Sequence, residues 1–237
     1  MSASAAPSVF FALALVSCGS ASLAPRPHSA VHEPSEALLD AVGIGDDHGV
    51  GISLERGAAP DSRATDGTTA LMFAAADGRI EIVTRLLDHG ADPTAQNDSG
   101  TTPLLFAAAQ GRTEIVKLLL ERGVTARSVT SAGVDPLMAA ATGGHLEIVH
   151  LLLAAGGDPS AADPAGRTAL MFAAGNGHDD VVDGLVDAGA HVLAKDRDGL
   201  GPADYARRAA HEELASRLDL LAAGASKSAV RGSERPK

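Results

Sequence analysis

Glycine recurs at intervals of 33 residues along this chain, and it does so in three separate series. The series are Gly67, Gly100, Gly133, Gly166 and Gly199; Gly78, Gly111, Gly144 and Gly177; and Gly57, Gly90, Gly123, Gly156 and Gly189. Composition alone does not produce three series with one step, even in a chain with 26 glycines. A fixed period between about 20 and 50 residues is the signature of stacked repeats. Function is therefore expected on a surface shared by several repeats rather than in one pocket.

The sequence between the glycines repeats with the same step, and four segments overlay without a gap from residue 64. The segments are DGTTALMFAAADGRIEIVTRLLDHGADP, SGTTPLLFAAAQGRTEIVKLLLERGVTA, AGVDPLMAAATGGHLEIVHLLLAAGGDP and AGRTALMFAAGNGHDDVVDGLVDAGAHV. They resemble the ankyrin repeat, whose family pattern is D-x-x-G-x-T-P-L-H-x-A-A-x-x-G-H-x-x-x-V-x-x-L-L-x-x-G-A. This resemblance covers residues 35–223 and implies an all-α solenoid of helix-turn-helix repeats with short hairpin loops.

Single positions within the repeat have clear physical roles. A side-chain oxygen able to cap a helix N-terminus stands at Thr69, Thr102, Asp135 and Thr168. Proline, which is favoured at the first position of a helix, follows at Pro103, Pro136 and Pro202. Paired alanines then allow neighbouring helices to approach closely, and phenylalanines fill the remaining space at Phe73, Phe106 and Phe172. Each repeat is therefore predicted to bury an apolar side only against the next copy.

The repeat phase divides the chain into units. Four clear repeats are predicted at 64–96 (repeat 1), 97–129 (repeat 2), 130–162 (repeat 3) and 163–195 (repeat 4). Degenerate units at 35–63 and 196–223 keep the phase and are predicted to be the N-terminal and C-terminal caps, as the ends of a solenoid require. Residues 224–237 are small, polar and charged, and we expect them to be disordered.

The N-terminal residues have the pattern of a targeting signal. An apolar run at 9–16 fits the core of a secretory signal peptide, and the string Leu15-Val16-Ser17-Cys18 resembles the lipobox of bacterial lipoproteins. The resemblance implies that residues 1–17 form a signal peptide and that Cys18 is lipidated at the start of a flexible tether, 18–34. It also implies a location in the cell envelope, at the outer membrane or in the periplasm. No Lys or Arg precedes Cys18, so a soluble secreted protein and a cytosolic protein stay open as alternatives.

Charge and motif patterns argue against other functional classes. The net charge of −11 disfavours binding to nucleic acid. His145, His178 and His211 share one repeat phase and would stand about 10 Å apart, far beyond shared zinc ligation at about 2.0–2.1 Å. Paired carboxylates fall at helix starts, where negative charge favours the helix dipole. We find no catalytic triad and no phosphate-binding loop, so we expect a non-enzyme without a cofactor, a metal or a small-molecule substrate.

The remaining function is protein binding. In the ankyrin family, hairpin tips and the inner face of the first helices bind partners, which implies an unidentified protein partner for this chain. The lipobox resemblance implies a second partner, the lipid bilayer, through acylated Cys18. Arg167 and Arg197 are the expected anchors, because arginine is enriched among the residues that dominate interfaces. The candidate positions, transferred by alignment, are Asp66, Thr68, Asp77, Asp98, Ser99, Thr101, Gln110, Ser131, Val134, Thr142, Arg167, Asn176, Arg197, Asp198 and Leu200.

Overall fold

The structure is a computed structural model that describes the backbone of residues 33–233 and the side chains of residues 33–225. Within that part of the chain it contains twelve helices and two isolated β-bridges but no strand. The helices are α1 Pro34–Ile44, α2 Asp47–Glu55, α3 Ala70–Asp77, α4 Ile80–Asp88, α5 Pro103–Ala109, α6 Thr113–Glu121, α7 Pro136–Gly143, α8 Leu146–Ala154, α9 Ala169–Asn176, α10 Asp179–Asp187, α11 Pro202–Arg208 and α12 Glu212–Ser233. The predicted all-α solenoid is confirmed.

The helices form two layers. Odd-numbered helices pack on one another in chain order and make the inner layer. Each even-numbered helix packs on its predecessor, and the even-numbered helices from α2 to α10 also pack on one another in chain order. From α3 onward the inner helices begin at Ala70, Pro103, Pro136, Ala169 and Pro202, so the 33-residue step of the sequence is also the step of the structure. Contacts between consecutive repeats, called joints below, therefore repeat at equivalent positions.

Side-chain caps fix the starts of three inner helices. Thr69 Oγ1 accepts a hydrogen bond from the Met72 amide at 3.2 Å, and Thr102 Oγ1 accepts one from Leu105 at 3.3 Å. In repeat 3, Asp135 does the same for the amide of Met138 at 2.7 Å. These are the caps that the sequence predicts.

The fourth predicted cap is wrong. The Thr168 hydroxyl accepts no hydrogen bond and is buried without a partner. The amide of Met171 donates instead to the carbonyl oxygen of Thr168 at 3.0 Å. The free amide at the start of α9 is thus satisfied by a backbone carbonyl oxygen, and the Thr168 side chain does not cap the helix.

Glycine ends both helices of a repeat in left-handed backbone. Gly78 follows α3 at φ +79°, and Gly90 follows the end of α4 at φ +89°. A side chain at such a φ is strained. The third series, which includes Gly67 at φ +76°, has positive φ as well, so this requirement explains all three glycine series.

The core runs along the contact between the layers. Every residue of α5 is buried, and Phe106, which is 4 % exposed, lies in a buried cluster with Met72 and Ala139 of the adjacent repeats. In the outer layer, Ile82, Val83 and Leu86 form the buried stripe of α4. The methionines at 72, 138 and 171 are buried as well, so they are packing residues.

The C-terminal expectation needs a correction. Residues 224–233 continue helix α12, whereas the sequence predicts disorder from residue 224. Leu214 and Leu218 bury the first part of this helix on the solenoid, and the chain that follows contains no proline before Pro236. Small residues therefore extend a helix that packing has already started.

None of the helices in the described part of the chain is both long and apolar enough to cross a membrane. The predicted signal peptide, Cys18 and most of the tether lie outside the described residues.

Candidate interaction surface

The hairpin tips form a ridge along one edge of the solenoid. The Asp98 amide donates to the carbonyl oxygen of Asp66 in the preceding repeat at 3.1 Å. Ser131 bonds to Ser99 in the same way at 2.9 Å. Near the C-terminal end, the amide of Arg197 donates to the carbonyl oxygen of Ala165 at 2.9 Å. These bonds order the tips relative to one another, so the exposed tip residues stand in a row of fixed spacing.

One side chain in each of three hairpins shapes its loop. Asn97 Oδ1 accepts hydrogen bonds from the amides of Ser99 and Thr101 at 3.1 and 2.9 Å. Asp163 and Asp196 stand two and three repeat steps further along, and each accepts hydrogen bonds from two loop amides at 2.8–2.9 Å. These three residues were not among the predicted site residues, although they occupy the first position of the family pattern.

The remaining two hairpins use substitutes. Repeat 1 has Ala64 at the loop-shaping position, and Asp66 Oδ1 accepts the Thr68 amide at 3.0 Å instead. Repeat 3 has Thr130 there, whose hydroxyl accepts the Val134 amide at 3.1 Å. The tip carboxylate of Asp66 therefore has a local structural role in addition to its exposure.

The structure places most candidate residues on the surface. The exposed positions are Asp66, Asp77, Asp98, Gln110, Ser131, Arg197 and Asp198. The half-buried positions are Ser99, Val134, Thr142, Arg167, Asn176 and Leu200. These residues lie on the hairpins and the inner helices, as the alignment predicts.

Thr68 and Thr101 do not belong to the surface. They are 1 and 2 % exposed, so a partner cannot reach them, and their assignment as partner-binding residues is wrong. Asn97 explains the burial, because its Nδ2 donates to Thr68 Oγ1 at 3.3 Å while its Oδ1 accepts the Thr101 amide. Both threonines therefore lie at the base of the hairpins, where consecutive loops meet.

Two inner-helix positions are partly satisfied by their own helix. The Thr142 hydroxyl donates to the carbonyl oxygen of Met138 at 2.7 Å, and Asn176 Nδ2 donates to Phe172 at 2.8 Å. Each side chain still offers an acceptor to a partner.

The two predicted arginine anchors differ. Arg167 forms a two-atom ion pair with Asp163, at 2.7 and 2.6 Å, and its guanidinium lies 5.1 Å from the centre of the Phe172 ring. The Asp163 side chain is only 1 % exposed, so Arg167 neutralises a buried charge. Arg197 is exposed and has no side-chain partner among the described residues. Of the two, Arg197 is the arginine that is free to contact a partner.

Buried ionisable groups of the surface region serve the fold. The Tyr205 hydroxyl donates to Asp196 Oδ2 at 2.6 Å, and burial together with this carboxylate raises the pKa of Tyr205. Burial acts to raise the pKa of Asp196 too, but hydrogen bonds from Tyr205 and two loop amides outweigh it and lower that pKa. Burial also raises the pKa of Asp135, although the hydrogen bond from the Met138 amide acts in the opposite direction. For His145, burial lowers the pKa. Each group has a structural partner.

The histidine row connects repeats. His145 Nε2 donates to the carbonyl oxygen of Ala109 at 3.2 Å, and His178 Nε2 donates to that of Thr142 at 3.0 Å. Arg112 takes the same role one repeat earlier, with Nε 3.0 Å from the Ala76 oxygen. Across the residues with described side chains, no three His, Cys, Asp or Glu side chains are placed to hold a metal ion.

Comparison with protein-family models matches the chain to Ankyrin repeats (3 copies), over residues 38–130 and 122–196. These spans run from residue 38 to residue 196 and cover more than half of the chain. No curated protein matches it significantly. Ankyrin repeats are typical of protein–protein interaction modules and are generally non-catalytic. With the 33-residue helical unit, the capped inner helices and the hairpin ridge described above, this match shows that the chain belongs to the ankyrin-repeat family.

Proposed function

We propose that this protein is a non-catalytic binding module that holds a partner protein against its hairpin tips and inner helices. The observation that supports this most is the contrast between frame and surface. The apolar residues of the inner helices are buried in the core, whereas the ordered tips expose polar residues such as Asp98, Ser131 and Arg197. A preformed surface binds without a large cost of ordering.

Site-specific photocrosslinking in cells tests this proposal. A photoreactive amino acid replaces Asp98 or Ser131 at the tips, and Glu121, exposed at the end of outer helix α6, is the matched control. We expect the same discrete adduct from both tip positions and none from Glu121. Adducts from Glu121 alone would place the interface on the outer layer and refute the proposal.

A charge reversal measures the contribution of the free arginine. Arg197→Glu is expected to weaken the crosslinked adduct, because the guanidinium is exposed and unpaired in the described structure. Arg56→Glu makes the same charge change at the end of outer helix α2, where Arg56 is also exposed. Equal loss in both variants would indicate a general charge effect rather than contact at Arg197.

We further propose that the protein is a lipoprotein of the cell envelope, anchored by acylated Cys18. The lipobox-like string and the preceding apolar run support this. A lipid anchor would raise the local concentration of the module near membrane partners. The alternatives are a soluble secreted or cytosolic adaptor or inhibitor, and, with least support, an enzyme built on the same frame.

Mass spectrometry of the mature N-terminus separates these possibilities. An acylated Cys18 supports the lipoprotein, an N-terminus near Ala21 or Ala24 supports secretion, and an intact Met1 supports the cytosolic protein. The binding proposal is independent of this outcome.

A further inference from the structure

Besides apolar packing and the inner-layer contacts of Arg112, His145 and His178, two further kinds of polar contact recur between adjacent repeats. One is the backbone hydrogen bond between tips, which occurs at the joint between repeats 1 and 2, at the joint between repeats 2 and 3, and at the joint between repeat 4 and the C-terminal cap. The other is an ion pair between outer helices. The joint between repeats 3 and 4 has neither of them among the described residues.

The tip bond is absent at that joint because of one residue. Pro164 occupies the position that Asp98, Ser131 and Arg197 occupy in the other repeats. Each of those three residues donates its amide to the preceding tip at 2.9–3.1 Å. Proline has no amide hydrogen, so the carbonyl oxygen of Ala132 receives no such bond.

Ion pairs connect the outer helices at the other joints. Their closest atoms are 2.6 Å apart for Arg85–Asp47, 3.2 Å for Arg122–Asp88, 2.7 Å for Lys117–Glu147 and 2.8 Å for Arg217–Asp179. Between α8 and α10 no ion pair forms in the described structure. The joint between repeats 3 and 4 therefore lacks both the tip hydrogen bond and the outer-helix ion pair that the flanking joints have.

Sequence differences explain the missing ion pair. His150 and Asp180 are the equivalents of Lys117 and Glu147 one repeat later, and both side chains are shorter. Asp180 Oδ1 instead accepts the amide of Val181 at 2.8 Å. The carboxylate is thus turned to its own helix.

Apolar packing still closes the joint. Gly184 on α10 allows a close approach, since a Cβ there would lie 2.9 Å from Leu146 Cδ1 of α8. One polar contact also remains in the inner layer, from His178 to Thr142 at 3.0 Å. The two sides therefore stay together, but they lack the tip hydrogen bond and the outer-helix ion pair that the flanking joints have.

Exposed ion pairs contribute little to stability, so their absence at this joint changes the restraint on the angle between the repeats more than it changes stability. Hydrogen bonds depend on angle, whereas apolar contact is non-directional, and packed helices slide past one another in shear motions. We propose that the joint between repeats 3 and 4 is the pivot of this solenoid, about which residues 163–225 turn as a unit relative to residues 34–162.

The pivot divides the candidate interaction surface in two. Positions up to Thr142 lie on one side, and positions from Arg167 onward lie on the other. A partner that contacts both sides selects their relative angle. The pivot itself is a property of the free protein and does not depend on the proposed binding function.

Distance measurement between spin labels tests the pivot in the full chain. Cys18→Ser removes the single native cysteine, and cysteines are introduced at Glu55, Glu121 and Asp187, which are exposed and end helices α2, α6 and α10. The pairs 55–121 and 121–187 have equal sequence separation, and each spans two joints. Only the second pair spans the joint between repeats 3 and 4.

We expect a broader distance distribution for the pair 121–187 than for the pair 55–121. Pro164→Ser, which restores the residue found at position 131, should narrow the distribution of 121–187 to the width of the reference pair. His150→Lys, which restores the lysine of position 117, should narrow it independently, so the test does not rely on one variant. Asp98→Pro should broaden the 55–121 distribution.

Equal widths for the two pairs in the wild-type sequence would overturn the proposal. A broad 121–187 distribution that neither Pro164→Ser nor His150→Lys narrows would overturn it as well, because the motion would then have another cause. Failure of the photocrosslinking experiment would leave this inference untouched.

Discussion

Two threonines at equivalent positions offer a sharp test of how the inner helices begin. Thr69 and Thr168 are both buried, at 0 and 4 % exposure, and both precede a helix that reads ALMFAA. Thr69 caps its helix with a 3.2 Å hydrogen bond, while the Thr168 hydroxyl has no partner. Substitution by valine keeps the shape of the side chain and removes only the hydroxyl.

The expected effects differ in size and in sign. Loss of a threonine N-cap costs typically about 1 kcal/mol, so Thr69→Val should destabilise by that amount. A buried polar group without a partner carries a penalty of about 1–3 kcal/mol, so Thr168→Val should be neutral or stabilising. A separation of about 2 kcal/mol between the variants corresponds to roughly 4–8 °C in melting temperature for a domain of this size.

Thermal and urea unfolding followed by circular dichroism measure both variants against the wild-type protein. Because solenoid repeats unfold in a nearest-neighbour manner, the shape of each transition is compared along with its midpoint. Equal destabilisation by the two substitutions would show that Thr168 forms a cap in solution, and the reasoning from the buried, unpaired hydroxyl would then be refuted.

Three further outcomes follow from the packing and the charges. Phe106→Ala should destabilise by about 3–5 kcal/mol, as a large-to-small change in a core, and a near-neutral effect in urea unfolding would contradict the burial of this ring. Arg167→Ala should destabilise by about 1–3 kcal/mol because it leaves the Asp163 carboxylate buried without its cation, whereas Arg197→Ala should stay within about 0.5 kcal/mol; equal effects in unfolding would contradict this contrast. Burial lowers the pKa of His145 below its ordinary 6.5, so the folded state favours the neutral ring, and its contribution to stability is full above pH 6.5 and is lost as the pH falls below that value. His145→Gln should therefore reduce the decline of unfolding free energy on acidification, and an unchanged pH profile would exclude this role.

The bounds of the repeats were predictable because the residues that begin and end their helices recur at a fixed interval in the sequence. Glycines at fixed intervals, capping residues and prolines each set the backbone locally, and the inner helices start at the predicted Pro103, Pro136 and Pro202. Burial followed the same phase for Phe106 and Phe172, which are buried as predicted, whereas Phe73 is only half-buried. Local rules therefore carried most of the fold.

Properties that depend on neighbouring side chains were not predictable in this way. Thr68 and Thr101 align with surface positions, but the Asn97 side chain between the loops buries them. Arg167 reads as a free anchor until its ion pair with the buried Asp163 is seen. The missing cap at Thr168 likewise results from a competing backbone hydrogen bond, which no pattern of residue types specifies.

The inner helices from α3 to α11 begin at equivalent residues, and each helix packs only on its immediate neighbours. The solenoid can therefore be lengthened or shortened by whole repeats. An in-frame duplication of residues 97–129 would add one copy whose C-terminal side meets repeat 3 as in the native protein, and whose N-terminal side meets the other copy of repeat 2 in place of repeat 1. Such an extended protein should carry a longer binding ridge while every existing helix keeps its place.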